Sequence, residues 1–141
     1  MTPHRILVLC TGNRCRSQMA HGWLTLLGQN KVEVRSAGTI PKGVHPKAIL
    51  MMKEVGSDIS AHTSNHVNEY ANEKFDLVLT VCDKAKESCP VFFGAAEVRH
   101  FSFEDPDHPN NPNEDLDVVF RRVRDQIGAW CKAILVEKKV V

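Results

Sequence analysis

A short stretch near the start of the chain combines a thiol, a guanidinium and a hydroxyl group. A thiolate at Cys10 would be a nucleophile, and the planar fork of Arg16 can donate two hydrogen bonds to a phosphate-like anion. The Ser17 hydroxyl can donate to the thiolate and later stabilise it as a leaving group. This spacing predicts attack by Cys10 on a bound tetrahedral oxyanion. The stretch reads Cys10-Thr11-Gly12-Asn13-Arg14-Cys15-Arg16-Ser17.

The segments on either side of this stretch predict how it is held. The apolar run of residues 6–9 is typical of a buried parallel strand, and the amphipathic segment of residues 15–27 predicts a helix that Gly28 ends. Backbone N–H groups of a loop between such elements converge on one point, where the helix dipole adds positive potential. Gly12 and Asn13 are expected to adopt left-handed dihedral angles there. The alternative, a buried structural cysteine beside a solvated arginine, explains a Cys-x5-Arg spacing only when it stands alone.

The rest of the chain alternates predicted strands and helices. This order predicts an α/β fold with a four-stranded parallel sheet flanked by helices on both faces, in a single domain of residues 1–141. Ligands bind such sheets at the carboxyl ends of strands, so Cys82, after the third strand, is expected to face the same edge as Cys10. Further strands are predicted at 31–36, 75–81 and 97–101, helices at 46–55 and 114–136, a turn at 36–38, helical turns within 57–74 and at 83–88, and a loop at 104–113.

Composition excludes several classes of function. A hydrophobic content of 43% and a charged content of 25% are ordinary for a globular protein. The net charge of +1 gives no electrostatic reason to expect nucleic acid or a membrane surface as a partner. No apolar run approaches membrane-spanning length, and the first residues do not form a signal peptide, so we expect a cytoplasmic protein. In that compartment the five cysteines indicate redox, nucleophilic or metal-binding roles rather than permanent disulfides.

Residues 10–17 resemble the loop of low-molecular-weight protein tyrosine phosphatases and of the arsenate reductases built on that fold. The longer string CTGNRCRSQMAHG is more similar to the thioredoxin-coupled arsenate reductases. Cys82 and Cys89, with six residues between them, match a cysteine pair of that branch. The resemblance implies arsenic detoxification by reduction of arsenate to arsenite, with thioredoxin as the partner and no cofactor. The alternative that it implies is a low-molecular-weight protein tyrosine phosphatase.

The resemblance also implies a role for each site residue. Cys10 would attack arsenate held by Arg16 and by the oxyanion-binding loop, and Asp105 of the Asp-Pro pair would protonate the leaving oxygen. Cys82 would then attack Cys10, and Cys89 would attack Cys82. In a folded helical turn two residues seven apart lie roughly 10 Å from each other, so a Cys82–Cys89 disulfide would require this segment to unwind. The loop residues are Thr11, Gly12, Asn13, Arg14 and Cys15.

The cysteines also allow interpretations other than this relay. A zinc site built from Cys10, Cys15, Cys82 and Cys89 would make the protein a metal binder, but these spacings are not usual ligand pairs, and no metal is predicted. Cys15 is expected to pack beside the loop, the alternative being an off-pathway disulfide with Cys10. Cys131 is expected in the core of the last helix.

The remaining polar residues refine the expected substrate and the surroundings of the loop. Tyrosine phosphatases of this fold usually carry aromatic residues soon after the Asp-Pro pair, whereas residues 107–109 are Asp-His-Pro, which favours a small inorganic substrate. In some family members the positions of Asn13 and Ser36, which are candidates for shaping the loop, join two carboxylates around potassium. This chain has His21 and Asn65 instead, so no potassium site is predicted. The pair His62 and His66 is expected to be an exposed loop feature.

Overall fold

Four parallel strands form one sheet in the order β2-β1-β3-β4. The structure is a computed structural model that describes residues 3–81 and 97–141. It confirms the predicted parallel sheet, and the third strand lies in its interior, between β1 and β4. The strands are β1 (His4–Cys10), β2 (Val32–Gly38), β3 (Leu77–Thr80) and β4 (Val98–His100).

Helices and loops cover both faces of the sheet. Ile6, Leu7 and Val8 of β1 have no exposed surface, and successive side chains of a strand point to opposite faces. Both faces of this central strand are therefore buried, which explains why its sequence is continuously apolar. The helices are α1 (Arg16–Gly28), α2 (Pro46–Glu54) and α3 (Leu116–Glu137), with short 3-10 turns at Gln29–Lys31 and Val67–Tyr70.

The helix boundaries follow local signals in the sequence. Pro46 occupies the first turn of α2, where its missing N–H costs nothing, and Gly56, with a φ of 88°, lies just beyond the end of that helix. The α3 helix begins after Asp115, whose carboxylate accepts hydrogen bonds from the amides of Asp117 and Val118. These ends lie within two residues of the predicted ones.

The end of β2 differs from the prediction. A turn was expected at residues 36–38, but β2 continues through them because Gly38 pairs with Cys10 of β1 and donates its N–H to the carbonyl of Asn65, at 2.9 Å. The predicted helical turn at 83–88, with Cys82 and Cys89, lies outside the described residues. Within the described residues no helix is both long enough and apolar enough to cross a membrane.

Candidate oxyanion-binding site

The loop between β1 and α1 turns its carbonyl groups outward. The C=O and N–H groups of one trans peptide unit point in opposite directions, so outward carbonyls at residues 11–15 direct the N–H groups of residues 12–16 towards the inside of the loop. Those N–H groups and the N-terminus of α1 form a cradle for an anion. Each outward carbonyl accepts a hydrogen bond. The backbone donors are the amides of Ile40 to the Thr11 carbonyl (2.9 Å), Lys42 to Gly12 (2.9 Å), His45 to Arg14 (3.1 Å) and Met19 to Cys15 (2.9 Å). The Asn13 carbonyl accepts from the side chains of Gln18 (3.1 Å) and Ser64.

Asn13 fixes the curvature of this loop. It has a φ of 46°, and its fully buried side chain donates to Ser17 Oγ at 2.9 Å and accepts from the amide of Asn65 at 2.9 Å. The predicted left-handed conformation is therefore confirmed for Asn13. The same prediction was wrong for Gly12, which does not have a positive φ, because the one left-handed residue at Asn13 already supplies the turn and its side chain stabilises it.

Gly38 lies directly against the loop, and sequence reasoning missed it. A Cβ atom at this position would lie 2.4 Å from the Thr11 carbonyl oxygen and 2.9 Å from the Asn13 nitrogen. Only glycine permits so close an approach of two backbones. The available signal was a glycine at the end of β2, but its pairing opposite Cys10 could be known only from the register of the sheet.

A cavity of about 630 Å³ opens at the carboxyl end of β1. It brings most of the predicted site residues together, whereas Asn13 and Ser17 lie behind the loop, fully buried. The second half of its wall comes from the segment that follows β4, which carries Asp105. The lining residues are Cys10, Thr11, Gly12, Arg14, Cys15, Arg16, Lys42, Ser102, Phe103, Glu104, Asp105, Asp107, His108 and Asn110.

Arg16 is held at the wall of this cavity by the segment after β4. Its Nη1 donates to the Phe103 carbonyl at 3.0 Å, and its Nη2 lies 3.6 Å from Asp105 Oδ2. Its Nε is buried and has no hydrogen-bond partner among the described residues. Because an unsatisfied buried donor is costly, this N–H is a ready site for an oxygen of a bound anion.

Two other buried thiols, Cys15 of the loop and Cys131 of α3, are not suited to act as nucleophiles. Burial raises the pKa of Cys15, and the nearby carboxylates of Asp107 and Asp105 raise it further, so this thiol stays protonated and serves as packing. Burial also raises the pKa of Cys131, which lies wholly within the core. In residues 3–81 and 97–141 no group of three or more His, Cys, Asp or Glu side chains is arranged to hold a metal ion.

A polar network supports the loop from behind. The ring of His62 packs against that of His21 with centroids 4.1 Å apart, and His62 Nδ1 donates to Gln18 Oε1 at 3.0 Å. The expectation that His62 is an exposed loop feature was therefore wrong, because α1 provides partners for it. Burial, with the charges of His62 and Arg35, lowers the pKa of His21 to about 3. At neutral pH His21 is thus a neutral group, 2.9 Å from Ser36 Oγ.

This arrangement defines a class of α/β protein in which an anion-binding loop and a cysteine share the end of the first strand. The sequence matches the family described as low molecular weight phosphotyrosine protein phosphatase over residues 5–140, and the chain belongs to that family.

Several relatives in this family are named arsenate reductase. The chain is 45% identical over 127 residues to the arsenate reductase of Halalkalibacterium halodurans, covering 90% of this chain and 91% of the relative. A solved arsenate reductase in the phosphate binding state is 34% identical and superposes with a TM-score of 0.83, covering 95% of this chain and 98% of its own. An arsenate reductase in the oxidized state is 31% identical, with a TM-score of 0.81 and complete coverage of both chains.

Proposed function

We propose that the protein reduces arsenate to arsenite and is recycled by thioredoxin. The observation that carries this proposal is the buried Arg16 Nε, a donor without a hydrogen-bond partner among the described residues, on the wall of the cavity that Cys10 lines. Arsenate is a tetrahedral oxyanion, and the inward N–H groups of residues 12–16 suit its oxygens. Similarity to proteins named arsenate reductase, one of them solved in a phosphate binding state, supports the same choice.

In the first step the Cys10 thiolate attacks the arsenic atom. An As–S bond forms and an As–O bond breaks, and the leaving oxygen departs as water after taking a proton from Asp105. Arg16 and the loop amides hold the remaining arsenate oxygens and stabilise the charge that develops on them. Arsenic is still As(V) in this adduct.

In the second step the Cys82 thiolate attacks the sulfur of Cys10. The S–S bond forms as the As–S bond breaks, its electron pair reduces arsenic to As(III), and arsenite leaves. The Cys89 thiolate then attacks Cys82 and frees Cys10. A dithiol of thioredoxin reduces the resulting Cys82–Cys89 disulfide. Two thiols are oxidised for each arsenate reduced, and thioredoxin reduces the resulting disulfide back to thiols. This use of cysteine fits a cytoplasmic location.

The walls of the cavity favour a small inorganic substrate. Among the described residues, Phe103 is the only phenylalanine, tyrosine or tryptophan in its lining and is buried, and Arg14 and Lys42 are cationic residues of that lining. Family membership nevertheless supports a second candidate, the hydrolysis of phosphate monoesters, because Cys10, Arg16 and Asp105 are the groups that such a reaction needs.

The first test is NADPH consumption in the presence of arsenate, thioredoxin and thioredoxin reductase. We expect steady turnover by the wild type, and its loss in Cys10→Ser, Cys82→Ser and Cys89→Ser. Cys131→Ala is the matched control, since it removes a cysteine that lies in the core, and its turnover should match the wild type.

The two candidate reactions give different results in this experiment. Hydrolysis of an aryl phosphate by Cys82→Ser, together with loss of arsenate reduction, would support the relay. Absence of arsenate reduction in a wild type that hydrolyses the aryl phosphate would instead favour the phosphatase. Sustained multiple turnover by Cys89→Ser would contradict the third thiol of the relay.

A further inference from the structure

We propose that Asp107 is a positioning residue that holds Asp105 against the oxyanion-binding loop through Arg14 and His45. The proposal rests on the proposed function in one respect, the role of Asp105 as the general acid. It adds a residue to that function whose side chain joins the acid-bearing segment to the loop that holds the anion.

The carboxylate of Asp107 has one partner for each of its oxygens. Oδ2 accepts a hydrogen bond from Arg14 Nε at 3.2 Å, and Oδ1 lies 3.1 Å from His45 Nε2. The backbone N–H of Asp107 donates to Asp105 Oδ1 at 3.0 Å. One residue therefore contacts the anion loop with its side chain and the acid with its backbone.

His45 is held so that it can act only as a donor to Asp107. Its Nδ1 accepts from the amide of Lys47 at 3.0 Å, as the cap of α2, which leaves the proton of the neutral ring on Nε2. Its own backbone N–H donates to the Arg14 carbonyl at 3.1 Å, and its ring packs on Phe120 of α3 with centroids 5.1 Å apart. The partner of Asp107 is thus fixed to α2, α3 and the loop at once.

The remaining contacts keep Asp107 charged and Arg14 in place. Partial burial alone would raise the pKa of Asp107, but the hydrogen bond from Arg14 and electrostatic interactions with His45, Arg14 and His108 outweigh it and lower the pKa. Arg14 Nη1 also donates to the carbonyls of Lys42 and Gly43, each at 3.4 Å. An ionised carboxylate between two such donors is a firm attachment for the loop.

This attachment determines which oxygen of Asp105 faces Arg16. Because the Asp107 N–H donates to Oδ1, that oxygen is turned towards the backbone of residue 107, and Oδ2 is the oxygen left on the Arg16 side. Oδ2 lies 3.6 Å from Nη2 of Arg16, the residue proposed to hold the oxyanion, and 3.4 Å from His108 Nδ1. Without the Asp107 side chain, the segment that carries Asp105 would lose its contacts with Arg14 and His45. Oδ2 of Asp105 would then not be held towards the leaving oxygen.

The test compares two aryl phosphates that differ in their need for an acid. Phenyl phosphate has a poor leaving group that requires a proton, whereas the p-nitrophenolate of p-nitrophenyl phosphate leaves with little help. In Asp107→Ala we expect kcat to fall about tenfold or more for phenyl phosphate and less than about threefold for p-nitrophenyl phosphate. The inhibition constant of inorganic phosphate should stay within about twofold, because the anion loop is intact.

Two further variants separate positioning from a general structural effect. The double variant Asp105→Ala/Asp107→Ala should be no slower than Asp105→Ala alone, since Asp107 acts through Asp105. Asp125→Asn, which removes a carboxylate paired with Arg124 on α3, is the matched control and should keep wild-type rates. Equal losses with both substrates, or additive losses in the double variant, would overturn the proposal.

A second measurement does not depend on activity. Hydrogen exchange at the amide of residue 107 should become at least about tenfold faster in Asp107→Ala, because the loosened segment no longer keeps the bond to Asp105. Unchanged exchange would overturn the positioning role. A wild type that neither reduces arsenate nor hydrolyses either phosphate would overturn the proposed function instead, and the exchange measurement would still decide the role of Asp107.

Discussion

At the scale of single residues, the oxyanion-binding loop leaves no room for a methyl group on Gly38. The added carbon would lie 2.4 Å from the Thr11 carbonyl oxygen and 2.9 Å from the Asn13 nitrogen, which are backbone atoms that no side-chain rotation can move away. We expect Gly38→Ala to displace the loop amides, lower activity on any oxyanion substrate by about tenfold or more, and destabilise the fold by roughly 1–3 kcal/mol.

The measurement for Gly38→Ala is the inhibition constant of phosphate together with a urea unfolding curve. Ala37→Gly is the matched control, because it weakens the same strand by removing a methyl group without crowding the loop. Its stability should fall while its affinity for phosphate is kept. Unaltered phosphate affinity in Gly38→Ala would mean that the loop does not depend on this contact.

At the scale of elements, α1 and α3 approach each other at Gly128. A Cβ there would lie 2.6 Å from Cε2 of the Trp23 indole, and the same indole donates its Nε1–H to the Arg124 carbonyl at 2.9 Å. Alanine gains about 1 kcal/mol of helix propensity over glycine, but moving the rigid indole costs more, since overpacking costs about 1–3 kcal/mol and the hydrogen bond is strained as well. We expect Gly128→Ala to lower the free energy of unfolding by about 1–2 kcal/mol.

Urea unfolding followed by tryptophan fluorescence measures this change. Trp23→Leu removes the obstructing ring, so the penalty of Gly128→Ala should shrink or reverse in that background. A full penalty in the Trp23→Leu background would show that the glycine is required for some other reason.

The elements that the sequence predicts well are those whose limits depend on nearby residues. The apolar run before Cys10, Pro46 and Gly56 around α2, and the regular apolar spacing of α3 are all local patterns, and the strands and helices follow them. The candidate reactive residues of 10–17 also lie next to one another in the sequence, so their types and spacing can be recognised without the fold.

What the sequence did not predict depends on contacts between distant segments. The extension of β2 to Gly38 follows from its register opposite Cys10, and the packing of His62 on His21 follows from a loop that folds back onto α1. The pairing of Arg14 with Asp107 joins residues 93 positions apart. No single-sequence pattern marks such pairs, because each residue alone is equally typical of an exposed loop.

At the scale of the whole molecule, the buried histidine pair makes stability depend on pH. Burial, with the charges of His62 and Arg35, lowers the pKa of His21 from 6.5 to about 3, and burial lowers that of His62. Between pH 6.5 and about pH 3 the unfolded chain binds a proton at His21 that the folded chain does not. The contribution of His21 to stability is therefore fully present above pH 6.5 and is lost as the pH drops towards 3. The slope from His21 is at most about 1.4 kcal/mol per pH unit.

The variant His21→Gln tests this dependence in unfolding curves at pH 7, 6 and 5. Glutamine keeps a hydrogen-bonding group near Ser36 but cannot titrate, so we expect the loss of stability between pH 7 and pH 5 to shrink by about half, and further in His21→Gln/His62→Gln. Ser36→Ala is the control: it removes the partner of His21 at 2.9 Å and leaves both imidazoles, so it should lower stability at every pH and keep the wild-type slope. A wild-type slope in the double variant would show that the acid sensitivity between pH 7 and pH 5 does not come from this histidine pair.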